Sequence, residues 1–128
     1  MRAIRGVIFF SISCLLYCGC GSPAPTLAHG KPVGDWVQAL QDPNVRVRKK
    51  AAAVLGNVGA VDPAVVPALA GALKDRDAGV RGEAAQALLK IGPNAREAEA
   101  ALAEAQQDCD PKVRAFAVQA LRRARGDE

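Results

Sequence analysis

The chain has few of the residues from which active sites are usually assembled. Aromatic residues make up only 4% of its 128 residues. His29 is its one histidine, and from residue 34 onward there is neither serine nor tyrosine. No Ser-His-Asp or Cys-His set can be formed there, and no glycine-rich phosphate loop is present. The sequence therefore predicts a protein that is not an enzyme, with no cofactor and no small-molecule substrate.

Cysteine is scarce where a fold would use it. Cys14, Cys18 and Cys20 lie close together near the N-terminus, which leaves Cys109 alone in the rest of the chain. This spacing excludes a disulfide framework, and it excludes a zinc site because Cys109 has no second cysteine at ligand spacing. Cys109 is predicted to be either an idle surface thiol or a handle for an intermolecular disulfide.

A strong charge of either sign is also absent. Without Arg2 and Arg5, which belong to an N-terminal segment described next, the chain carries 15 Lys and Arg against 13 Asp and Glu, a net charge of +2. A nucleic-acid-binding domain normally needs a concentrated basic face. We therefore expect no nucleic-acid partner.

Residues 1–19 have the three parts of an export signal. Arg2 and Arg5 supply a basic start, and an apolar stretch follows from Gly6 to Leu16. That stretch is shorter than the roughly 20 apolar residues of a transmembrane helix. Small residues around Cys20 then mark a cleavage site.

The same segment resembles a bacterial lipoprotein signal, in which a small residue precedes the cysteine that becomes diacylated. Gly19 and Cys20 supply that pair, although Tyr17 stands where the family usually has leucine. The resemblance implies a lipid on Cys20 and a membrane-anchored protein of the cell envelope. The alternatives are ordinary secretion, with cleavage after Ala28, and an uncleaved anchor. Residues 20–33 are rich in proline and glycine and are predicted to form a flexible spacer.

The rest of the chain, residues 34–126, repeats itself every 33 residues. Three successive copies, at about 34–59, 62–92 and 94–125, align without gaps and share six identical positions. These are Ala39, Ala72 and Ala105; Asp42, Asp75 and Asp108; Val47, Val80 and Val113; Arg48, Arg81 and Arg114; Ala51, Ala84 and Ala117; and Leu55, Leu88 and Leu121.

Each copy has the pattern of two helices joined by a tight turn. In the second helices apolar residues recur at spacings of four, four and three, which gives one apolar stripe. In the first copy these residues are Val47, Ala51, Leu55 and Val58. Three residues before each stripe stands a side chain that can cap the helix N-terminus. The predicted caps are Asn44, Asp77 and Asp110.

Glycine and proline mark the predicted helix boundaries. Gly56 and Gly59 are predicted to end the second helix of copy one, and Gly92 that of copy two. Asp62-Pro63 is predicted to open the next helix. Pro67 lies further in and is predicted to kink that helix.

The segments Asp42 to Gly56, Asp75 to Leu88 and Asp108 to Leu121 resemble the HEAT repeat family, especially its short bacterial form. The resemblance implies an all-α fold, an α-solenoid of three helix pairs in a right-handed superhelix. It also implies that the second helices line a concave, partner-binding face. About three pairs are needed for a stable array. HEAT-like bilin lyases are a distant alternative, but their catalytic features cannot be placed in this sequence.

The repeated acidic and basic residues are predicted to be structural. An active site needs one asymmetric group of residues, whereas a stack needs the same contact at every joint. We therefore expect a ladder of Asp–Arg pairs that braces the turns. Its predicted members are Asp42, Asp75, Asp108, Arg48, Arg81 and Arg114.

Function is expected at the outward positions of the second helices. Copy one is basic there, copy two is mixed, and copy three presents an aromatic residue of the kind that anchors interfaces. The candidate partner-binding residues are Arg46, Lys49, Lys50, Glu83, Lys90 and Phe116. They predict a non-catalytic scaffold whose partner is another protein with an acidic surface.

Two alternatives stay open. The outward side chains could simply solvate their face of the solenoid. The chain could also be an assembly or capping subunit that stacks its end repeats, through Trp36 or Leu121, on another helical protein or on itself.

Overall fold

The structure, a computed structural model, describes residues 27–127. The predicted all-α solenoid is confirmed, with six helices in three consecutive pairs, and the second helix of each pair packs against the second helix of the next. The helices are α1 Val33–Ala39, α2 Val45–Val58, α3 Val65–Ala72, α4 Ala78–Ile91, α5 Glu99–Ala105 and α6 Pro111–Arg125. Short 3-10 segments, Gly59–Val61 and Gly92–Ala98, connect the pairs.

The core is built from the repeated small and branched residues. Leu55 and Leu88 are fully buried, and Leu121 in the last copy is 6% exposed. The repeated alanines at the centre of each second helix, such as Ala84, have no exposed surface either. Because alanine has no side chain beyond Cβ, neighbouring second helices approach closely without leaving voids.

The predicted helix caps are confirmed. The Asn44 side chain accepts a hydrogen bond from the backbone N–H of Arg46 at 2.9 Å, and Asp77 and Asp110 cap α4 and α6 in the same way. Gly59 and Gly92 follow α2 and α4 with φ values of 73° and 69°. Glycine adopts this region without the steric cost that a Cβ brings, so both helices end there.

Two boundary predictions are wrong. Gly56 lies inside α2, where it is buried against the neighbouring helix; a Cβ built on it would lie 2.6 Å from the Cβ of Ala87. Pro67 does not kink α3, because that helix begins at Val65 and Pro67 falls in its first turn. Backbone N–H groups of a first turn have no partner within the helix, so proline removes no hydrogen bond there.

Residues 27–32 form a hairpin where the sequence predicts a flexible spacer over residues 20–33. Its strands are β1 Leu27–Ala28 and β2 Lys31–Pro32, and α1 follows at once from Val33. The two turn residues, His29 and Gly30, have φ values of 50° and 75°, as a two-residue hairpin turn requires. The predicted signal at residues 1–19, Cys20 and the first part of the spacer lie outside the described residues.

The hairpin closes the N-terminal end of the solenoid. The indole Nε1 of Trp36 donates a hydrogen bond to the carbonyl oxygen of Ala28 at 2.9 Å. Ala28 and Trp36 are only 6% and 7% exposed, and the hairpin also borders α2 at Val54 and Val58. Terminal repeats of solenoids need such a cover over their outer face.

Candidate functional site

The repeated aspartates and arginines form ion pairs between successive helix pairs. The guanidinium of Arg48 holds the carboxylate of Asp75 with two hydrogen bonds, of 2.9 and 3.2 Å. Arg81 holds Asp108 in the same way, at 2.7 and 3.0 Å. Each arginine also donates from Nη1 to the carbonyl oxygen of the aspartate in its own repeat, at 2.8 Å for both Asp42 and Asp75.

The two Arg–Asp pairs, which we call the rungs of the ladder, are largely shielded from water. The side chains of Arg81 and Asp108 are only 13% and 10% exposed. The hydrogen bond from Arg81 lowers the pKa of Asp108 below its ordinary value, while burial opposes that shift; the same hydrogen bond raises the pKa of Arg81. The donors and acceptors of each rung are thus occupied by one another and by backbone, which suits a structural brace.

The outermost members of the ladder, Asp42 and Arg114, form no ion pair within residues 27–127. Of its six predicted members, four form the two rungs. Among the described residues, the carboxylate of Asp42 accepts only from the backbone N–H of Asn44, at 2.8 Å. Arg114 is exposed and donates to the carbonyl oxygens of Asp108 and Cys109 at 2.7 and 3.0 Å. The carboxylate that a fourth repeat would present to Arg114 is not among residues 27–127.

A groove of about 620 Å³ runs across the face formed by the three second helices. We call it the central groove. Lys49 of α2 stands on one side and Phe116 of α6 on the other, while α4 forms the middle. Its lining residues are Lys49, Ala78, Gly79, Gly82, Glu83, Gln86, Asp110, Lys112 and Phe116.

Glycines of α4 make the floor of the central groove. Gly79 and Gly82 lie one turn apart, where the 33-residue register puts Arg46 and Lys49 in α2. A Cβ added to Gly82 would meet nothing closer than a methyl group of Val113 at 4.0 Å. At these two positions α4 leaves the groove bare, whereas α2 carries the long side chains of Arg46 and Lys49.

The structure brings three of the six predicted partner-binding residues together. Lys49, Glu83 and Phe116 line the central groove. Phe116 is half-buried, since it also packs against the hydrophobic core.

The other three lie elsewhere. The Nζ of Lys50 sits 5.7 Å from the ring centroid of Trp36, which puts its charge against the hairpin end rather than the groove. Lys90 donates to the side-chain oxygen of Asn57 at 3.4 Å. Arg46 is exposed but does not line the groove.

The groove floor was not among the predicted partner-binding positions, because those were chosen for the side chains they carry. A signal was nevertheless present. Gly79 and Gly82 interrupt a helix at positions where another copy of the repeat has long basic residues. These two departures from the repeat mark the positions where α4 leaves its groove-facing surface bare.

Two other features were sought in the described residues, a metal site and a membrane-spanning helix. Among residues 27–127, no group of three His, Cys, Asp or Glu side chains could hold a metal ion. In the same range no helix has the length and apolar character needed to cross a bilayer.

Comparison with known families agrees with this architecture. A family model of HEAT repeats matches residues 34–122. The chain belongs to the HEAT repeat family. No curated protein matches it. HEAT repeats commonly mediate protein–protein interaction and are typically non-catalytic scaffolds.

Proposed function

We propose that this HEAT repeat protein is a non-catalytic binding module whose central groove receives a segment of a partner protein. The observation that carries the proposal is the groove itself, to which all three second helices contribute. Lys49, Glu83 and Lys112 line it, and none of them makes an ion pair within residues 27–127. Their charges are therefore available to a bound chain.

The proposed partner presents carboxylates. Lys49 and Lys112 offer ammonium groups from opposite sides of the groove, and Arg46 lies one turn before Lys49 on α2. Asp110 also lines the groove, but its carboxylate already accepts from two backbone N–H groups of α6. Charges of this kind set the orientation and the association rate of a partner more than its affinity.

The proposed location is the cell envelope, with a lipid on Cys20 as tether. The support is the order of basic, apolar and small residues over residues 1–19, followed by the Gly19-Cys20 pair. Residues 21–26 separate Cys20 from the hairpin at Leu27–Pro32. The binding module would then lie close to the bilayer surface.

A pull-down from detergent-solubilised membranes tests both parts. Wild type is compared with Lys49→Glu, and with Lys74→Glu as a matched control whose exposed side chain pairs with Glu104 outside the groove. We expect one partner that is lost with Lys49→Glu and kept with Lys74→Glu. A partner kept by both variants would move the interface off the groove. Intact mass spectrometry that shows Cys20 without a diacylglyceryl group would remove the tether.

A second candidate is an assembly subunit that stacks its C-terminal end on another helical protein. Two observations favour it: the open rung at Arg114, and Val118, which is half-buried where Ala52 and Ala85 of the other copies are fully buried. The N-terminal end does not offer such an edge, because Trp36 lies under the hairpin. A partner lost with Arg114→Met but kept with Lys49→Glu would favour this candidate.

A further inference from the structure

We infer that the floor of the central groove recognises one large apolar side chain of the partner, set next to a carboxylate that pairs with Lys49. The inference rests on the proposed function and adds the chemistry of the bound segment. It starts from Gly82, which nothing in the packing of the protein requires.

Gly82 differs in this respect from the buried glycine of α2. A Cβ on Gly56 would collide with Ala87 at 2.6 Å, so the approach of two helices demands glycine there. At Gly82 the nearest atom to an added Cβ is 4.0 Å away, and its φ lies outside the left-handed region. Alanine would fit this position and would favour the helix. The bare backbone at Gly82 is therefore not required by helix packing, and unlike that of Gly71 it lies in the lining of the central groove.

The walls around Gly82 suit an apolar guest. Phe116 packs on the core with part of its surface and lines the groove with the rest. A large side chain seated on Gly82 would contact the Phe116 ring and the exposed α4 backbone at once. Burial of a leucine, methionine or phenylalanine side chain changes affinity by about 10- to 100-fold.

Lys49 determines the kind of residue that the bound segment carries next to the apolar side chain. Its Cε and Nζ lie 3.2 Å from the position that a Cβ on Gly79 would take, so its charge lies above the groove floor. Oδ1 of Asp77 lies 2.9 Å from the same position, but it already accepts from the backbone N–H of Val80, and the two side chains form no ion pair within residues 27–127. An ammonium group there pairs with a carboxylate of the bound segment. Glu83, one residue after Gly82, lines the groove as well and disfavours an acidic residue on its own side.

A library of random dodecapeptides displayed on phage, panned on the full-length protein in detergent, tests the inference. We expect enriched peptides to share one large apolar residue next to an aspartate or glutamate. Gly82→Leu, which fills the floor, should weaken their binding at least about 10-fold. Gly71→Leu is the matched control, because Gly71 lies in α3 and an added Cβ there meets nothing within 4 Å. Circular dichroism should show both variants to be at least as helical and as heat-stable as wild type.

The outcomes separate this inference from the proposed function. If peptides bind equally to wild type and Gly82→Leu but are lost with Lys49→Glu, the groove binds protein segments without the side-chain pocket, and only the inference fails. If neither variant weakens the enriched peptides, both proposals fail. Failure to enrich any peptide over several rounds also overturns the inference, since a pocket for one side chain should select at this level.

Discussion

At the scale of single residues, each arginine of the two rungs joins two repeats because a planar guanidinium has several N–H donors that point in fixed directions. Arg81 places Nε and Nη2 on the carboxylate of Asp108 and Nη1 on the carbonyl oxygen of Asp75. A lysine has one point charge and could not hold both partners in fixed directions. The side chain therefore fixes the turn of its own repeat and the position of the next one together.

Replacement of Arg81 should be costly. We expect Arg81→Met to lower the free energy of unfolding by about 3 kcal/mol, because it leaves the carboxylate of Asp108 largely buried without its cation. Arg114→Met is the matched control; that guanidinium is exposed and bonds only backbone carbonyls, so the expected loss is about 1 kcal/mol. Urea unfolding followed by circular dichroism measures both. Equal losses would contradict the cross-repeat role of Arg81.

The Asp108 rung should also make stability depend on acid. Its pKa in the folded protein lies below the ordinary 3.8, so its contribution is fully present above that pH and is lost as the pH falls through the folded pKa. Asp108→Asn has no such group to protonate. We expect the difference in unfolding free energy between wild type and Asp108→Asn to be constant near neutral pH and to shrink below about pH 3.8. A difference that stays constant into acid would contradict this.

The sequence predicted six members of the ladder, of which four form the rungs, but not how those four pair. Identity in three copies marked the aspartates and arginines as structural. Arg48 is six residues from Asp42 in its own repeat and 27 from Asp75 in the next. Only the packing of α2 against α4 decides that the carboxylate comes from the next repeat and the carbonyl from its own. The open ends at Asp42 and Arg114 follow from that direction.

At the scale of the helices, the glycines have different roles that the sequence alone does not separate. Gly59 ends α2 with a positive φ, Gly56 permits a close crossing, and Gly82 opens the central groove. The sequence predicted helix ends at both Gly56 and Gly59, since each stands near the end of an apolar stripe. A close crossing depends on the residue opposite, here Ala87, which is 31 positions away in the chain.

The crossing of α2 and α4 should be sensitive to one methyl group. Gly56→Ala should destabilise the protein by about 1–3 kcal/mol, because the new Cβ would lie 2.6 Å from the Cβ of Ala87. Gly71→Ala makes the same chemical change in open space and should stabilise the protein by about 0.5–1 kcal/mol. Thermal unfolding of the two variants provides the measurement. Stabilisation by Gly56→Ala would show that the helices separate without cost.

The helix caps were predictable because they depend on short stretches of sequence. Asn44, Asp77 and Asp110 each act within three residues of their own position. The hairpin at residues 27–32 was not predictable in that way. Its strands have two residues each and no periodicity, and the contact with Trp36 crosses eight positions in the chain.

At the scale of the whole molecule, the two ends of the described solenoid differ in how their outer faces are covered. The N-terminal end is covered by the hairpin, and Lys31 and Lys50 both lie against the Trp36 ring, at 5.6 and 5.7 Å from its centroid. The C-terminal end has no such cover in the described residues, and Gln106 stands there where the 33-residue register puts leucine in the other copies. A polar residue at that point suits a surface in contact with water.

The hairpin cover should depend on the indole N–H of Trp36. Trp36→Phe keeps an aromatic ring but loses the hydrogen bond to Ala28, and we expect a loss of about 1 kcal/mol. Hydrogen exchange should show reduced protection over residues 27–32 and unchanged protection in α4 and α6. His29→Ala is the comparison: it removes the edge contact of the imidazole on the Trp36 ring and strains the turn but keeps the indole hydrogen bond. Unchanged protection in Trp36→Phe would mean that the strand pairing holds the hairpin alone.

The polarity of the ladder bears on how such a chain can lengthen. Arg48 and Arg81 each bond a carbonyl oxygen of their own repeat and a carboxylate of the following one. A tandem duplication of one 33-residue unit in the middle of the chain would therefore bring both halves of a new rung with it. The new rung needs no compensating substitution, and the hairpin and the Arg114 edge would be unchanged. Because the pair runs in one direction, the array can lengthen by duplication of an interior repeat without any change to the residues of its existing rungs.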